Sequence, residues 1–228
     1  MCNGPLLGKI LLFSLPLMLS GILQLLFNAA DMVVVGRWGG SNALAAVGST
    51  GSLINLIVNV FIGLSVGANV LIARYYGSGQ EKELSEMVHT AMLTAFICGT
   101  ILIFIGFFAA PVALGAMGTP PEVLDQAVLY VRIYFAAMPA MMVYNFGAAI
   151  LRAVGDTRRP LYFLLSSGII NVILNLIFVI KFNMDVAGVA LATAISQVVS
   201  AIMVVICLIR SEGPYRLRMK ELCIVPHK

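Results

Sequence analysis

The chain has 228 residues, of which 61% are hydrophobic and 11% charged, and its mean hydropathy is +1.01. Because soluble domains carry about 25% charged residues, this composition excludes an ordinary soluble protein and indicates an integral membrane protein. The formal net charge is +4, and its distribution along the loops is better explained by membrane orientation than by nucleic-acid binding.

Six uncharged runs divide the chain, and each is long enough for a membrane-spanning helix. A bilayer core about 30 Å thick needs roughly 20 apolar helical residues, and these runs contain 19 to 36 residues. The two longest are shortened in the prediction, because 38–52 is rich in Gly, Ser and Asn and 111–121 contains three prolines. The sequence therefore predicts an all-α membrane protein whose six helices lie at about 10–36, 51–73, 87–110, 129–151, 160–180 and 186–209.

The positive charges predict the orientation of these helices. Assigning Lys and Arg to alternate sides puts Arg37, Arg132 and Lys181 on one side, and puts eleven on the other: Lys9, Arg74, Lys82, Arg152, Arg158, Arg159, Arg210, Arg216, Arg218, Lys220 and Lys228. The positive-inside rule then places both termini in the cytoplasm. We expect residues 1–215 to form one transmembrane unit and 216–228 to be a basic cytoplasmic tail in contact with solvent or membrane lipid.

Helix 1 contains a carboxylate, Asp31, within an apolar sequence. Four apolar residues follow it before Arg37 and Trp38, a pair typical of the membrane interface. The rise from Lys9 to Arg37 is about 42 Å, which matches a bilayer with its headgroups and leaves Asp31 roughly 9 Å below the outer belt. Two readings stay open: a carboxylate that faces the protein interior, which the position favours, and an interfacial or loop carboxylate.

Polar side chains recur on one face of four predicted helices. They are Ser20, Gln24, Asn28 and Asp31 in helix 1, Ser52, Asn55 and Asn59 in helix 2, Ser167, Asn171 and Asn175 in helix 5, and Thr193, Ser196, Gln197 and Ser200 in helix 6. Such groups can join helices by hydrogen bonds that contribute only about 0.6 kcal/mol each. They can also line a water-accessible cavity, and for all the stripes together we favour a shared cavity.

Helix 1 also has a predicted point of bending. Pro16 removes a backbone hydrogen bond inside the helix, and Gly21 adds backbone freedom five residues later. A hinge and a static kink are both compatible with this pair.

Sequence signals for catalysis or for a metal site are weak. The four cysteines, Cys2, Cys98, Cys207 and Cys223, are widely separated, which favours neither a disulfide framework nor a metal site. Two histidines and the lack of a helical carboxylate pair disfavour a membrane-embedded enzyme. We therefore expect no enzymatic activity and no cofactor.

Six segments, in order, resemble the amino-terminal half of multidrug and toxic compound extrusion (MATE) transporters, most closely the bacterial branch that includes the DNA-damage-inducible efflux proteins. They are SLPLMLSGILQLLFNAADMVVVG (14–36), ALAAVGSTGSLINLI (43–57), GLSVGANVLIARYYGSGQ (63–80), LRAVGDTRRP (151–160), NVILNLIFV (171–179) and AGVALATAISQ (187–197). The resemblance implies one lobe of a twelve-helix, two-lobe transporter in the bacterial plasma membrane. It further implies export of cationic or amphipathic compounds, driven by an inward H⁺ or Na⁺ gradient.

The resemblance also implies residue roles. Asp31 would be the coupling-ion site, able to take a proton or Na⁺, and bending near Pro16 would reshape the lobe. Tyr130, Asn171, Asn175 and Thr193 fall at the family's remaining site positions, while some relatives have Asp where this chain has Asn175. The polar stripe residues Ser20, Gln24, Asn28, Asn55, Asn59 and Gln197 are expected to line the cavity.

The length of the chain is about half that of the family it resembles. The tail after residue 215 would then begin a linker to a second lobe, and the expected partners are small-molecule drugs or organic cations, H⁺ or Na⁺, lipid, and either a second six-helix lobe or another copy of this chain. The leading hypothesis is a drug or cation antiporter. The alternatives are a truncated lobe without transport activity and a lipid-linked flippase of the same superfamily.

Overall fold

The structure, a computed structural model, describes residues 6–218, so Cys2, Cys223, Lys220, Lys228 and most of the predicted tail lie outside the described residues. This part of the chain consists of helices joined by short turns. Seven are α-helices: α1 (Leu6–Val34), α2 (Gly40–Ser78), α3 (Glu81–Ala116), α4 (Pro121–Ala136), α5 (Met138–Ala153), α6 (Arg158–Leu176) and α7 (Asp185–Arg210). Two short π-helical segments, Val35–Gly39 and Ile177–Lys181, extend α1 and α6 and contact each other.

The segment between α1 and α2 differs from the prediction. We expected the second helix to begin at about residue 51, yet α2 begins at Gly40 and runs through the preceding Gly- and Ser-rich sequence. Ala43, Ala46 and Thr50 are buried there, and the Thr50 hydroxyl donates to the Val47 carbonyl at 2.8 Å. Packing of this face outweighs the weak helix propensity of the segment. Gly40, with φ of 82°, marks the break between the two helices.

The predicted fourth helix, 129–151, is wrong as a single element. The chain forms α4 and α5, which meet at Ala137 with a bend of 48°. Pro139, in the first turn of α5, has no N–H to donate and cannot continue the preceding helix. The third helix is in turn longer than predicted, because α3 continues past Pro111 to Ala116.

Close helix packing in the bundle depends on glycines. A Cβ atom at Gly106 of α3 would overlap the ring of Phe135 in α4, and one at Gly168 of α6 would overlap the ring of Phe27 in α1. At Gly147 of α5 it would lie 2.8 Å from the Val204 side chain of α7. Small residues of this kind let helices approach closely in a membrane, where van der Waals contact drives association.

The outer surface of the bundle is apolar. In the part of the chain that the structure describes, four helical stretches are long and apolar enough to cross a membrane, or five if the bent pair of α4 and α5 is one span. The first of these stretches, Leu11–Ser78, contains both α1 and α2. Large hydrophobic side chains on α1, α2 and α3 are exposed, including Leu25, Leu56 and Phe108. A soluble protein rarely exposes such continuous apolar surface, so the fold is that of a multi-pass membrane protein.

Two glycine substitutions test the packing between α3 and α4. We expect Gly106→Ala to destabilise the bundle by about 1 to 3 kcal/mol, because overpacking a filled contact forces neighbouring atoms apart. Gly67→Ala is the matched control, since a Cβ there has no neighbour within 4 Å and Ala is the better helix former. Thermal unfolding of the detergent-purified variants measures both, and equal melting temperatures would contradict the proposed contact.

Candidate functional site

A cavity of about 270 Å³ opens between the helices of the bundle and is lined by five α-helices together with Tyr134 of α4. Eight residues predicted from the sequence line it: Gln24, Asn28, Asp31, Asn55, Asn59, Asn171, Thr193 and Gln197. Ser167, Ser196 and Ser200 of the same stripes also line it. The four predicted polar stripes, which lie on α1, α2, α6 and α7, therefore meet in one cavity in the described part of the chain. This favours the shared-cavity interpretation over packing alone.

The cavity also shows how α1 and α2 are arranged. Gln24 of α1 and Ile62 of α2 both line it, although a continuous helix would separate these positions by about 57 Å. The chain must therefore turn back between them. Gly40 is the residue whose backbone conformation permits that turn.

Asp31 lies at one end of a hydrogen-bonded chain of side chains that links three helices. The Asn175 amide nitrogen donates to the Asp31 carboxylate and, at 3.2 Å, to the Asn171 side-chain oxygen. The Asn171 amide nitrogen donates to the Thr193 hydroxyl at 3.3 Å. One turn of α6 separates Asn171 from Asn175, so both side chains lie on the same face of the helix. This geometry favours the interior reading of Asp31 over the interfacial one.

The electrostatic surroundings of Asp31 are polar but carry no neutralising cation. No Lys or Arg is among the residues that line the cavity, in the part of the chain that the structure describes. Asn175 is only 1% exposed, and its side-chain oxygen is buried without a hydrogen-bond partner. Carboxylate, amide and hydroxyl oxygens are the hard ligands that suit an alkali cation, and a carboxylate alone can bind a proton. This cluster could hold either ion.

The predicted Tyr130 is close to this cluster but does not line the cavity. Its ring stacks on that of Tyr134 with centroids 6.0 Å apart, and of these two tyrosines of α4 it is Tyr134 that lines the cavity. The Tyr134 hydroxyl contacts the Met141 sulfur at 3.8 Å. Tyr130, which is 7% exposed, therefore packs against a residue of the cavity wall without lining the cavity itself.

The predicted hinge region of α1 is helical throughout. Pro16 lies inside α1, and the Ser20 hydroxyl donates to the Pro16 carbonyl at 2.8 Å. Ser20 consequently bonds to its own helix and, unlike the prediction, does not line the cavity. A Cβ at Gly21 would have no neighbour within 4 Å. Bending at Pro16 and Gly21 stays a prediction.

Comparison with known proteins identifies the family. The sequence model of the MatE family matches residues 16–177, which include most of α1, all of α2 and most of the cavity wall. The chain belongs to the MATE family.

The relatives of this MATE chain are about twice as long. It is 34% identical to the probable multidrug resistance protein YoeA of Bacillus subtilis, and the match covers 89% of this chain and 45% of YoeA. It is 30% identical to an FAD transporter of Shewanella oneidensis, over 85% of this chain and 44% of that protein. A crystal structure of a MATE protein in the bent conformation superimposes with a TM-score of 0.83 at 28% identity, covering 89% of this chain and 45% of that one. The MATE chain thus spans about half the length of these relatives.

Three polar residues of the cavity lining were not predicted from the sequence, and all come from α4 and α5. They are Tyr134, Tyr144 and Asn145. Asn145 donates to the Met141 carbonyl at 3.0 Å, and the Tyr144 hydroxyl donates to the Pro160 carbonyl at 3.1 Å. A repeated polar stripe did not reveal them, because the uncharged run 133–151 of the MATE chain has a single amide. That amide, Asn145, was the one available signal.

Cysteine labelling tests whether the cavity contains water. In a variant with the four native cysteines replaced by Ser, we expect Asn55→Cys and Gln197→Cys to react with a small charged methanethiosulfonate reagent, because the thiolate forms only where water reaches the thiol. Phe104→Cys on the apolar surface of α3 is the control. Its side chain is 61% exposed in the structure but would face lipid, so it should react at least about tenfold more slowly, as expected for a thiol held out of water. Equal rates at all three positions would contradict an aqueous cavity.

Proposed function

We propose that this chain is the amino-terminal lobe of a secondary antiporter that exports cationic or amphipathic compounds in exchange for H⁺ or Na⁺. The observation that carries the proposal is a single carboxylate, Asp31, set among amides and hydroxyls in the cavity of a MATE-family fold. Buried ionisable groups within membrane helices commonly mark ion pathways. The relative YoeA is named a probable multidrug resistance protein, which supports an organic substrate here.

The proposal includes six membrane spans with both ends of the chain in the cytoplasm. The helical stretch Leu11–Ser78 would be about 100 Å long if straight, roughly three times the hydrocarbon thickness. Because the chain turns back at Gly40, this stretch supplies two spans. The bent pair of α4 and α5 supplies one, and α3, α6 and α7 supply three more. The excess of Lys and Arg on one side supports the orientation.

Asp31 is proposed to couple ion entry to export. A proton or Na⁺ at the carboxylate would compete with the hydrogen bond from Asn175, which joins α1 to α6. Ion binding would thereby change the contact between two helices that line the cavity. One charge moving through about 100 mV supplies about 2.3 kcal/mol, enough to sustain roughly a fifty-fold gradient of exchanged solute.

A second candidate function is a lobe that does not transport by itself. It is favoured by the fact that the chain spans 45% of its relative YoeA. Two-lobe transporters place the substrate site between repeats, and one lobe alone provides a single wall. The two candidates differ in whether a second lobe is needed for activity.

Dye accumulation in cells separates the two candidates. We expect cells that express the chain alone to accumulate ethidium as vector controls do, because a substrate site between lobes needs both walls. Fusion to the carboxy-terminal half of YoeA should lower accumulation severalfold. Efflux by the unfused chain would show instead that a second lobe is not required, or that two copies pair. Loss of efflux in the fusion despite correct membrane insertion would contradict the antiporter proposal.

Asp31→Asn tests the coupling role in whichever protein shows efflux, the chain alone or its fusion to the second lobe. The substitution preserves size but removes the charge, so we expect substrate exchange driven by pH or Na⁺ gradients to fall to background in proteoliposomes. Asp125→Asn, an exposed carboxylate on α4, is the matched control and should leave exchange unchanged. Normal exchange by Asp31→Asn protein would refute the coupling role and leave the fold assignment intact.

A further inference from the structure

A second cavity, of about 440 Å³, lies where α6 begins and α7 ends. It is lined by Arg159, Cys207, Arg210, Ser211, Glu212 and Tyr215. A guanidinium nitrogen of Arg159 lies 3.7 Å from the Cys207 sulfur, and its Nε lies 3.2 Å from the Asp156 carboxylate. These contacts hold the side chain of Arg159 across the gap between the two helices, at the wall of the cavity.

The other wall is the segment that follows α7, and hydrogen bonds fix it in place. The Leu217 N–H donates to the Leu208 carbonyl at 3.1 Å, and the Leu217 side chain is only 3% exposed. Ser211 donates its hydroxyl to the Cys207 carbonyl at 2.7 Å. The cavity is therefore bounded on both sides by anchored structure before any ligand binds.

A buried histidine of α3 accepts a hydrogen bond from the far end of this segment. His89 is 2% exposed, and its Nε2 accepts a hydrogen bond from the Arg218 N–H at 2.9 Å. Its other ring nitrogen, Nδ1, lies 2.6 Å from the Ser85 carbonyl, which can only accept, so Nδ1 carries the hydrogen. Because α3 is thus tied to the segment, the wall cannot move independently of the bundle.

The position of the cavity is that of a membrane surface. Arg158 is the first residue of one spanning helix and Arg210 is the last residue of another. One turn from each of these ends, the side chains are apolar or aromatic and exposed: Tyr162 is 59% exposed and Ile206 is 44% exposed. Aromatic and basic residues at helix ends are typical of the lipid headgroup level.

The charge around the cavity is positive. Arg159 and Arg210 line it together with one acidic residue, Glu212. Outside the lining, Asp156 pairs with Arg159, while Arg158, Arg216 and Arg218 are close in sequence, so positive charges outnumber negative ones. Guanidinium groups present paired N–H donors that match phosphate oxygens. Basic pockets between membrane helices on the cytoplasmic side bind anionic headgroups.

We propose that this cavity binds the phosphate group of an anionic phospholipid headgroup. Arg159 and Arg210 hold the phosphate, while the acyl chains lie against the exposed apolar residues of α6 and α7. A lipid is favoured over a soluble phosphate compound because the apolar surface adjoins the basic one. The inference does not depend on transport, and it concerns a cavity distinct from the one that contains Asp31.

Lipid binding by the detergent-purified chain tests the proposal, measured by native mass spectrometry with phosphatidylglycerol and phosphatidylcholine. We expect phosphatidylglycerol to bind more tightly than phosphatidylcholine. Replacing both arginines, Arg159→Gln with Arg210→Gln, should weaken phosphatidylglycerol binding by about 30-fold, because each arginine near an anionic surface contributes about fivefold. Glu212→Gln should strengthen it, since it removes the one negative charge of the lining. That opposite sign would not arise from a loss of structure.

A matched double variant controls for net charge. Arg37→Gln with Lys181→Gln removes two exposed positive charges from the two π-helical segments, which contact each other, without altering the cavity lining. It should leave phosphatidylglycerol binding within about twofold, because Lys181 lies about 33 Å along the helix from Arg159 and charges farther apart than a Debye length are largely screened. Equal weakening by both double variants would overturn the proposal. Displacement of phosphatidylglycerol by an equal concentration of inorganic phosphate would also overturn it, because the site would then recognise a soluble anion.

Discussion

The hydrogen bond between Asp31 and Asn175 is the interaction on which the inner architecture depends. A carboxylate inside a membrane protein is costly unless polar partners replace water. Asn175 supplies such a partner from α6, and α6 can come close to α1 because Gly168 leaves space for Phe27. The glycine contact and the polar contact therefore support each other. Without the first, the second could not reach across the two helices.

The polar network then determines what kind of cavity the bundle encloses. Asn175 bonds to Asn171, and Asn171 bonds to Thr193 of α7, so three helices share one line of hydrogen bonds. Every donor in this line is neutral, and the carboxyl group of Asp31 is its one ionisable group. A cavity of this kind responds to the arrival of a cation more than to that of an anion. The basic cavity at the other end of α6 has the opposite preference, so one helix separates two regions of opposite charge.

Much of this arrangement follows from the sequence, because lipid imposes simple rules on it. The uncharged runs indicate the helices, and the i, i+4 spacing of amides in α1 and α6 indicates which faces meet. The division at Ala137 was not predictable from hydropathy, because Pro139 can sit within a helix as Pro16 does or end one. The helical conformation of 40–52 was equally hidden, since it depends on burial of Ala43 and Ala46 by other helices. Tyr134 lines the cavity and Tyr130 does not, a difference of one helical turn on the same face of α4 that hydropathy and spacing do not resolve.

The two π-helical segments carry a consequence for how the chain tolerates change in length. Each follows shortly after one partner of the Asp31 and Asn175 pair, at Val35–Gly39 and Ile177–Lys181. A π turn contains one residue more than an α turn, since its hydrogen bonds join i to i+5. Deleting a single residue from either segment would therefore return it to regular α-helix while the upstream side chains kept their phase. Evolution can adjust the outer loops by one residue at these points without rotating the ion site.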